Sequence, residues 1–437
     1  MAKPKLALIP AAQGSKLYSV LPSSGVGDFD FTRSGSATRI NAQGLIETVG
    51  SGVSRLNYPM IDGVVKGCPH HILEPERRQL IQYSEDFSNA AWIKSNSSIT
   101  SNSVISPDGT LNASTLTDNT ANGIHRLRDS VSLSASTNYS LSVFAKKGTL
   151  SNIQLALINT SNSATSSRVF DLENGVLGES IGVALSDSKI TDYGNGWFKC
   201  EITSQLSSTP NTYQITLATK SSGNATTVSQ VTYDGDGSGN VYLYGAMLEE
   251  GSYSTSYIPN YGTALGVTRS AETANGSGDA ATFNDSEGVL MAEISALDND
   301  GTYKQILLHD NAYNNRIALR YMPISNQINA VLHNGSIQAD FTYNLANALD
   351  FNKIAFKYKE NDFALWVNGI EIDTDGTGTT FSANTLEKID FDFINNYFFY
   401  GKTKQLQYFD TADIDLEQLT SWVSFQEMAE GQLYTIE

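Results

Sequence analysis

Tyr83-Ser84-Glu85-Asp86-Phe87-Ser88-Asn89-Ala90-Ala91-Trp92-Ile93-Lys94 divides this chain into two unlike parts. Two large aromatics, Phe87 and Trp92, flank small residues and follow a pair of acids. Upstream the sequence is rich in turns and poor in large apolar residues. Downstream it breaks into short apolar–polar alternations separated by Gly, Asn, Asp and Ser, the pattern of β-strands joined by turns. The stretch therefore reads as the start of the first of two β-sandwiches, with Phe87 and Trp92 as buried anchors.

Composition agrees. The chain has 437 residues, enough for two or three domains, and only 17% are charged, against 21 Tyr and 18 Phe. Ser, Thr, Asn and Gly fill much of the remainder, a β-rich composition of the extracellular type. A net charge of −18 argues against nucleic-acid partners and anionic membrane surfaces, both of which need clustered Lys and Arg. No apolar run reaches the ~20 residues of a membrane span. The run Leu6-Ala7-Leu8-Ile9 ends at Pro10, too early for a secretion signal. Release by cell lysis, as for a virus particle, is the expectation for such a chain. Cys68 and Cys200 are too few for a disulfide scaffold and read as two buried free thiols rather than a bridge.

Residues 1–80 hold short strands, Leu17-Tyr18-Ser19-Val20-Leu21 before Pro22 and Gly27-Asp28-Phe29-Asp30-Phe31-Thr32, but too few apolar residues for a core. The segment is expected to pack on a neighbour, either another domain or another protein. Arg33, Arg39 and Arg55 read as salt-bridge partners that pin an extended chain, with an acidic or nucleotide site as the sharper alternative.

These words resemble a known module. Tyr18-Ser19-Val20-Leu21-Pro22, Gly27-Asp28-Phe29-Asp30-Phe31, Arg33-Ser34-Gly35-Ser36-Ala37-Thr38-Arg39, Gly44-Leu45-Ile46-Glu47, Leu73-Glu74-Pro75-Glu76-Arg77-Arg78 and Tyr83-Ser84-Glu85-Asp86-Phe87 are similar to the leading segment of bacteriophage tail-fibre and other virion-surface proteins. His70-His71-Ile72 departs from the plainer apolar run that the resemblance implies. It implies that residues 1–80 attach to other virion proteins, with Phe29, Phe31, Arg33 and Arg39 as contact residues, and that carbohydrate-binding sandwiches follow. It implies no reaction.

From 81 to 265 the strands Tyr139–Ala145, Ile153–Ile158, Arg168–Leu172, Gly196–Ile202, Tyr213–Leu217 and Val241–Gly245 suit a jelly roll, with a hairpin turn at Glu173-Asn174-Gly175. Their order resembles phage-borne carbohydrate-binding modules, and Met247–Gly251 with Ser256–Pro259 resembles such a module's close. Thr268-Arg269-Ser270-Ala271-Glu272 reads as a linker. From 275 to 437 the alternation restarts at Gly288–Ile294. Lys353-Ile354-Ala355-Phe356, then Leu365-Trp366-Val367-Asn368-Gly369, resembles the concanavalin-A-like (laminin-G-like) lectin fold. Leu416, Leu419 and Val423 recur at helical spacing behind Asp413 and Asp415, which predicts one C-terminal helix.

Candidate sites are few. Asp234-Gly235-Asp236-Gly237-Ser238-Gly239-Asn240 opens like an EF-hand loop, but the bidentate acid due at its twelfth position is Gly245. A looser Ca2+ site at Asp234 and Asp236 is the cofactor candidate; none other is indicated. Glu371, Asp373 and Asp375 approach a glycosidase pattern, but its final acid is replaced by Gly376. His70 and His71 point to opposite sides of an extended chain and do not suit one metal. Sugar binding needs flat rings with amide neighbours, and Tyr313-Asn314 and Asn396-Tyr397 supply them. Trp92, Trp197 and Trp366 are assigned to cores.

The sequence thus predicts an all-β protein: an irregular N-terminal segment, two tandem antiparallel β-sandwiches (jelly roll, then concanavalin-A-like) and a short C-terminal helix. The expected role is non-enzymatic binding of host-surface glycan from a virion, as a homo-oligomer, a trimer if it forms a fibre. A capsid decoration or vertex protein and a polysaccharide depolymerase are the alternatives.

Overall fold

Phe87 and Trp92 both turn inward because two aspartate-type turns wrap the chain between them. Ser88 N donates to Asp86 Oδ1 at 3.1 Å and Ala91 N to Asn89 Oδ1 at 3.0 Å. The rings meet at 5.3 Å, Trp92 packs edge-on against Tyr213, and its indole N–H donates to Tyr83 O at 2.9 Å. Burying each ring contributes roughly 1.5–3 kcal/mol. Beside them Glu85 Oε1 accepts from the hydroxyls of Tyr244, Tyr257 and Tyr261 at 3.3, 3.0 and 3.2 Å. Burial pushes that carboxyl above its ordinary pKa against the pull of these hydroxyls.

The computed structural model describes residues 3–134, 136–159, 165–182, 185–206, 211–218, 231–392, 397–423 and 427. They hold thirty-six strands and one short helix. No helix among them is long and apolar enough to cross a membrane.

The first sandwich has two six-stranded antiparallel sheets. One runs Ile93–Ser95, Arg126–Val131, Asn211–Ala218, Asn152–Asn159, Thr165–Asp171, Val176–Gly182. The other runs Ser97–Ile105, Leu111–Asp118, Asn240–Glu250, Thr137–Lys147, Trp197–Leu206, Asp187–Asp192. Leu116, Leu141, Leu155, Ile215 and Leu243 fill the space between them. The strand Thr137–Lys147 alternates in sequence, yet both of its faces are buried along most of its length. A second core covers the outer face: Phe144, Tyr244 and Trp197 pack against Tyr257, Ile258 and, from the N-terminal segment, Ile40 and Ile46. Gly245 makes this possible, because a Cβ there would sit 3.1 Å from the Tyr257 ring and 3.2 Å from Phe144.

The second sandwich faces an eleven-stranded sheet with a five-stranded one. The larger sheet contains Glu287–Ala296, Asn352–Lys359, Phe363–Val367, Ile370–Asp375 and Gly401–Phe409, and also Leu6–Gln13, Lys16–Leu21, Phe29–Thr32 and His70–Leu73. The N-terminal segment's neighbour is therefore mainly the far sandwich. Leu6 pairs with Tyr408 and Leu8 with Leu406, and Leu6, Leu8, Leu17, Phe29 and Phe31 share one core with Leu290, Phe356 and Tyr408. Asn368 and Gly369 carry positive φ at the turn that the sequence marks. The C-terminal helix is shorter than expected. It spans Leu416–Thr420, capped by Asp415, whose side chain accepts from Gln418 N; Leu416 and Leu419 are buried, while Val423 is exposed.

Residues 268–272 are an anchor rather than a plain linker. Glu272, 1% exposed, accepts from Arg33 Nη1 and Arg55 Nε, both at 2.8 Å, and from Glu74 N at 2.9 Å. Arg55 Nη2 reaches Glu74 at 2.8 Å, and Arg269 Nη1 reaches the same carboxylate at 2.7 Å. Burial pushes the Glu74 carboxyl up, but Arg269 and Arg55 together outweigh it and hold the group well below the usual range. Arg33 and Arg55 are the salt-bridge partners that the sequence suggested. The network ties the N-terminal segment to the stretch that joins the two sandwiches.

The two cysteines are unbridged: Cys200 is buried, whereas Cys68 is exposed, against the expectation that both are inside. A thiol reagent is expected to label one cysteine per native chain and two after unfolding, counted by mass spectrometry.

Candidate functional site

Strand register builds the site. In the five-stranded sheet, Gln305 stands opposite Arg320, Arg320 opposite Asn329, and Asn329 opposite Thr342. The next row on the same face is Asp390, Leu307, Ala318, Val331 and Asp340, and beyond it lie Lys388, His309, Arg316 and His333. The core side chains Ile306, Leu308, Ile317, Leu319, Ala330 and Leu332 occupy the alternate positions. The face of this sheet away from the main core thus carries a buried apolar strip, Leu307-Ala318-Val331, ended by Asp390 and Asp340 and set between two polar rows.

Arg320 and Asn329 of the first row and Asp340 of the next hold each other. Arg320 Nε donates to Asn329 Oδ1 at 2.7 Å, and Asn329 Nδ2 donates to Asp340 Oδ1 at 2.5 Å. The Arg320 guanidinium lies 5.6 Å from the centre of the Tyr303 ring, and Tyr303 packs on Tyr397 with centroids 5.0 Å apart. Along the other row Tyr313 stacks on His309 at 4.4 Å and 15°, and its backbone oxygen accepts from Arg316 Nη1 at 2.7 Å. Tyr313 adopts φ of 62° there and packs on the apolar strip. His309 Nε2 is 2.9 Å from Asp390 Oδ2. Burial pushes the Asp390 carboxyl up, but the bonds from His309 and Gly276 N outweigh it and bring it below its ordinary value. The two rows lie four residues apart, roughly 13 Å at ~3.3 Å per residue.

Tyr313 and Tyr397 therefore decorate opposite ends of one sheet face. Asn314 is exposed beside Tyr313, its carbonyl 2.9 Å from His333 Nδ1. Asn396 lies outside the described residues. Tyr303, Arg320, Asn329 and Asp340 went unnoticed in the sequence. The alternation Arg316-x-Ala318-x-Arg320 could have flagged the arginines, but the facing partners depend on register.

The other candidates fare differently. Phe29 and Phe31 are core residues, 0% and 2% exposed, and Arg33 is sealed in the ion network, so none of the three is available as the expected attachment contact. Arg39 is only partly buried and pairs with Glu47 at 2.9 Å. Asp236 accepts from Ser238 N at 2.7 Å and Gly239 N at 3.0 Å, while Asp234 is exposed on a short ladder. The carboxylate at the heart of that loop is Asp118, which accepts from Gly237 N at 3.1 Å and Gly239 N at 3.0 Å. A Cβ at Gly239 would lie 2.6 Å from it, so the glycines let backbone close on a carboxylate. Among the described residues no three His, Cys, Asp or Glu side chains gather as a metal ion needs. Glu371 and Asp373 are exposed on the edge strand Ile370–Asp375.

Fold and face together define an all-β protein of two antiparallel sandwiches, the second with a polar, ring-flanked sheet face. No family model and no curated protein matches the chain. Among solved structures it is weakly similar to mouse laminin α1 chain domains LG4-5, at 13% identity and a TM-score of 0.23, covering 70% of this chain and 90% of that one. It is similar to the LG1-3 region of the laminin α2 chain at 10% identity and 0.23, covering 69% and 67%. It is also similar to sheep galectin-11 in complex with glycerol, at 9% identity and 0.18, covering 28% of this chain and 85% of that one.

Proposed function

We propose that the chain binds glycans without chemistry, through the outer face of the five-stranded sheet. The observation that carries this reading is the Arg320–Asn329–Asp340 hydrogen-bonded chain next to the Tyr303–Tyr397 pair. Asn329 is 3% exposed and only braces its neighbours; the exposed Asp340, the half-buried Arg320 and Tyr397, 38% exposed, are the acceptor, donor and ring offered to sugar hydroxyls and pyranose faces. The resemblance of residues 18–87 to phage virion-surface proteins supports display on a virion, in several copies, so that weak sites gain avidity.

Binding of the purified chain to host cells is expected to fall on periodate oxidation of surface sugars. Tyr397→Ala and Arg320→Gln are each expected to weaken it by about tenfold, with little change in unfolding temperature. Binding that survives oxidation, or that only capsid and tail proteins support, would point to a structural virion component. Release of reducing ends from host capsule would point to a depolymerase.

A further inference from the structure

A cleft of about 230 Å3 lies where the N-terminal segment, the first sandwich and the second sandwich meet. Its acids are already engaged. Glu74 holds Arg55 and Arg269, and Glu201 pairs with Lys199 at 2.8 Å. Two cations remain. Among the described residues neither Lys402, on the strand Gly401–Phe409, nor Lys189, on Asp187–Asp192, makes an ion pair or a hydrogen bond, and both line the cleft. Lys189 is exposed and solvated, while burial, with Lys189 beside it, lowers the Lys402 pKa to about 8, so an anion seated between the two would restore the Lys402 charge.

His70 supplies an independent sign. It lines the same cleft, is 2% exposed, and its Nδ1 has no partner. Ile40 N donates to Asn57 Oδ1 at 2.8 Å, which fixes the amide so that Asn57 Nδ2 faces His70 Nε2 at 3.3 Å. Nε2 is then the acceptor and Nδ1 carries the proton, a buried donor awaiting an oxygen. Burial keeps the ring neutral, reinforced by the charges of Lys402 and Lys404.

We propose that this cleft is a binding site for a small oxyanion, held by Lys402 and Lys189 beside His70. The shared chemistry is a compact anionic oxygen group, from either the carboxylate of an acidic sugar or free phosphate. The site is separate from the sheet face and does not depend on it.

Titration calorimetry of the full chain with sodium glucuronate, inorganic phosphate and neutral glucose at matched ionic strength tests it. Glucuronate is expected to bind and glucose not to. Lys402→Gln is expected to weaken binding by at least about tenfold, Lys189→Gln by less, and Lys402→Arg to retain most of it. Tyr397→Ala is expected to leave it unchanged. Binding of phosphate but not glucuronate upholds the site and assigns its ligand to free phosphate. The proposal is overturned if neither anion binds the folded chain, or if Lys402→Gln and Lys189→Gln both bind as tightly as the parent.

Discussion

Glu272→Gln is expected to lower the free energy of unfolding by about 3–5 kcal/mol, read from urea or guanidinium denaturation. The residue is buried and accepts from Arg33, Arg55 and the backbone of Glu74. An amide keeps the shape but loses the charge, and it presents two donors where the guanidiniums need acceptors. Arg33 then loses its carboxylate, and Arg55 is left to share Glu74 with Arg269. Breaking a buried pair by removing one partner costs this much because the surviving charge stays desolvated. The loss should centre on the N-terminal segment, so protease should cut residues 33–55 of the variant before it cuts either sandwich. A change below 1 kcal/mol would sink the idea that Glu272 anchors the segment.

Acid is expected to destabilise the chain through the adjacent histidines well before its ordinary carboxylates protonate. Burial lowers the pKa of His71 from 6.5 to about 4, and burial lowers that of His70 as well. A group whose folded pKa is depressed binds fewer protons when folded. Stability is therefore complete above pH 6.5 and is lost as pH falls toward 4. His71 alone accounts for about 3 kcal/mol across that window. Glu85, whose carboxyl burial raises, acts in the opposite direction. The clean readout is thus a difference: His71→Phe should show a shallower loss of stability between pH 6.5 and 4.5 than the parent. Parallel curves would remove His71 as the source.

Much of the strand content was legible because it is local. Phe87 and Trp92 announce a core through their small neighbours and the aspartate-type turns between them. Asn368-Gly369 and Glu173-Asn174-Gly175 announce hairpins, and Gly175, like Asn368 and Gly369, takes the positive φ such turns require. What distance in sequence hides was not legible. Phe29-Asp30-Phe31 reads as a half-buried strand, and it is one, yet nothing nearby reveals that its core partners include Phe391. Thr268–Glu272 looks like a linker because the arginines that bury Glu272 lie more than two hundred positions upstream. The sheet face was missed for a related reason. Tyr313 and Tyr397 drew notice as aromatic words, while Arg320, Asn329 and Asp340 become neighbours only once three strands are in register.

The pairing of Leu6–Gln13 with Gly401–Phe409 also sets a schedule for synthesis. The first sandwich takes its strands from one continuous stretch, 93–250, and can close while the ribosome is still working. The strands nearest the start of the chain have no such freedom. Their partner at 401–409 is translated long after them, and closing so long a loop slows the search for it. Until then Leu6, Leu8, Phe29 and Phe31 lack their core partners on the far sandwich, and the first sandwich must mature beside strands paired only with one another. A chaperone that holds extended apolar segments would find its substrate there, and a ribosome stalled before residue 401 would leave the nascent chain prone to aggregate from its N-terminal end.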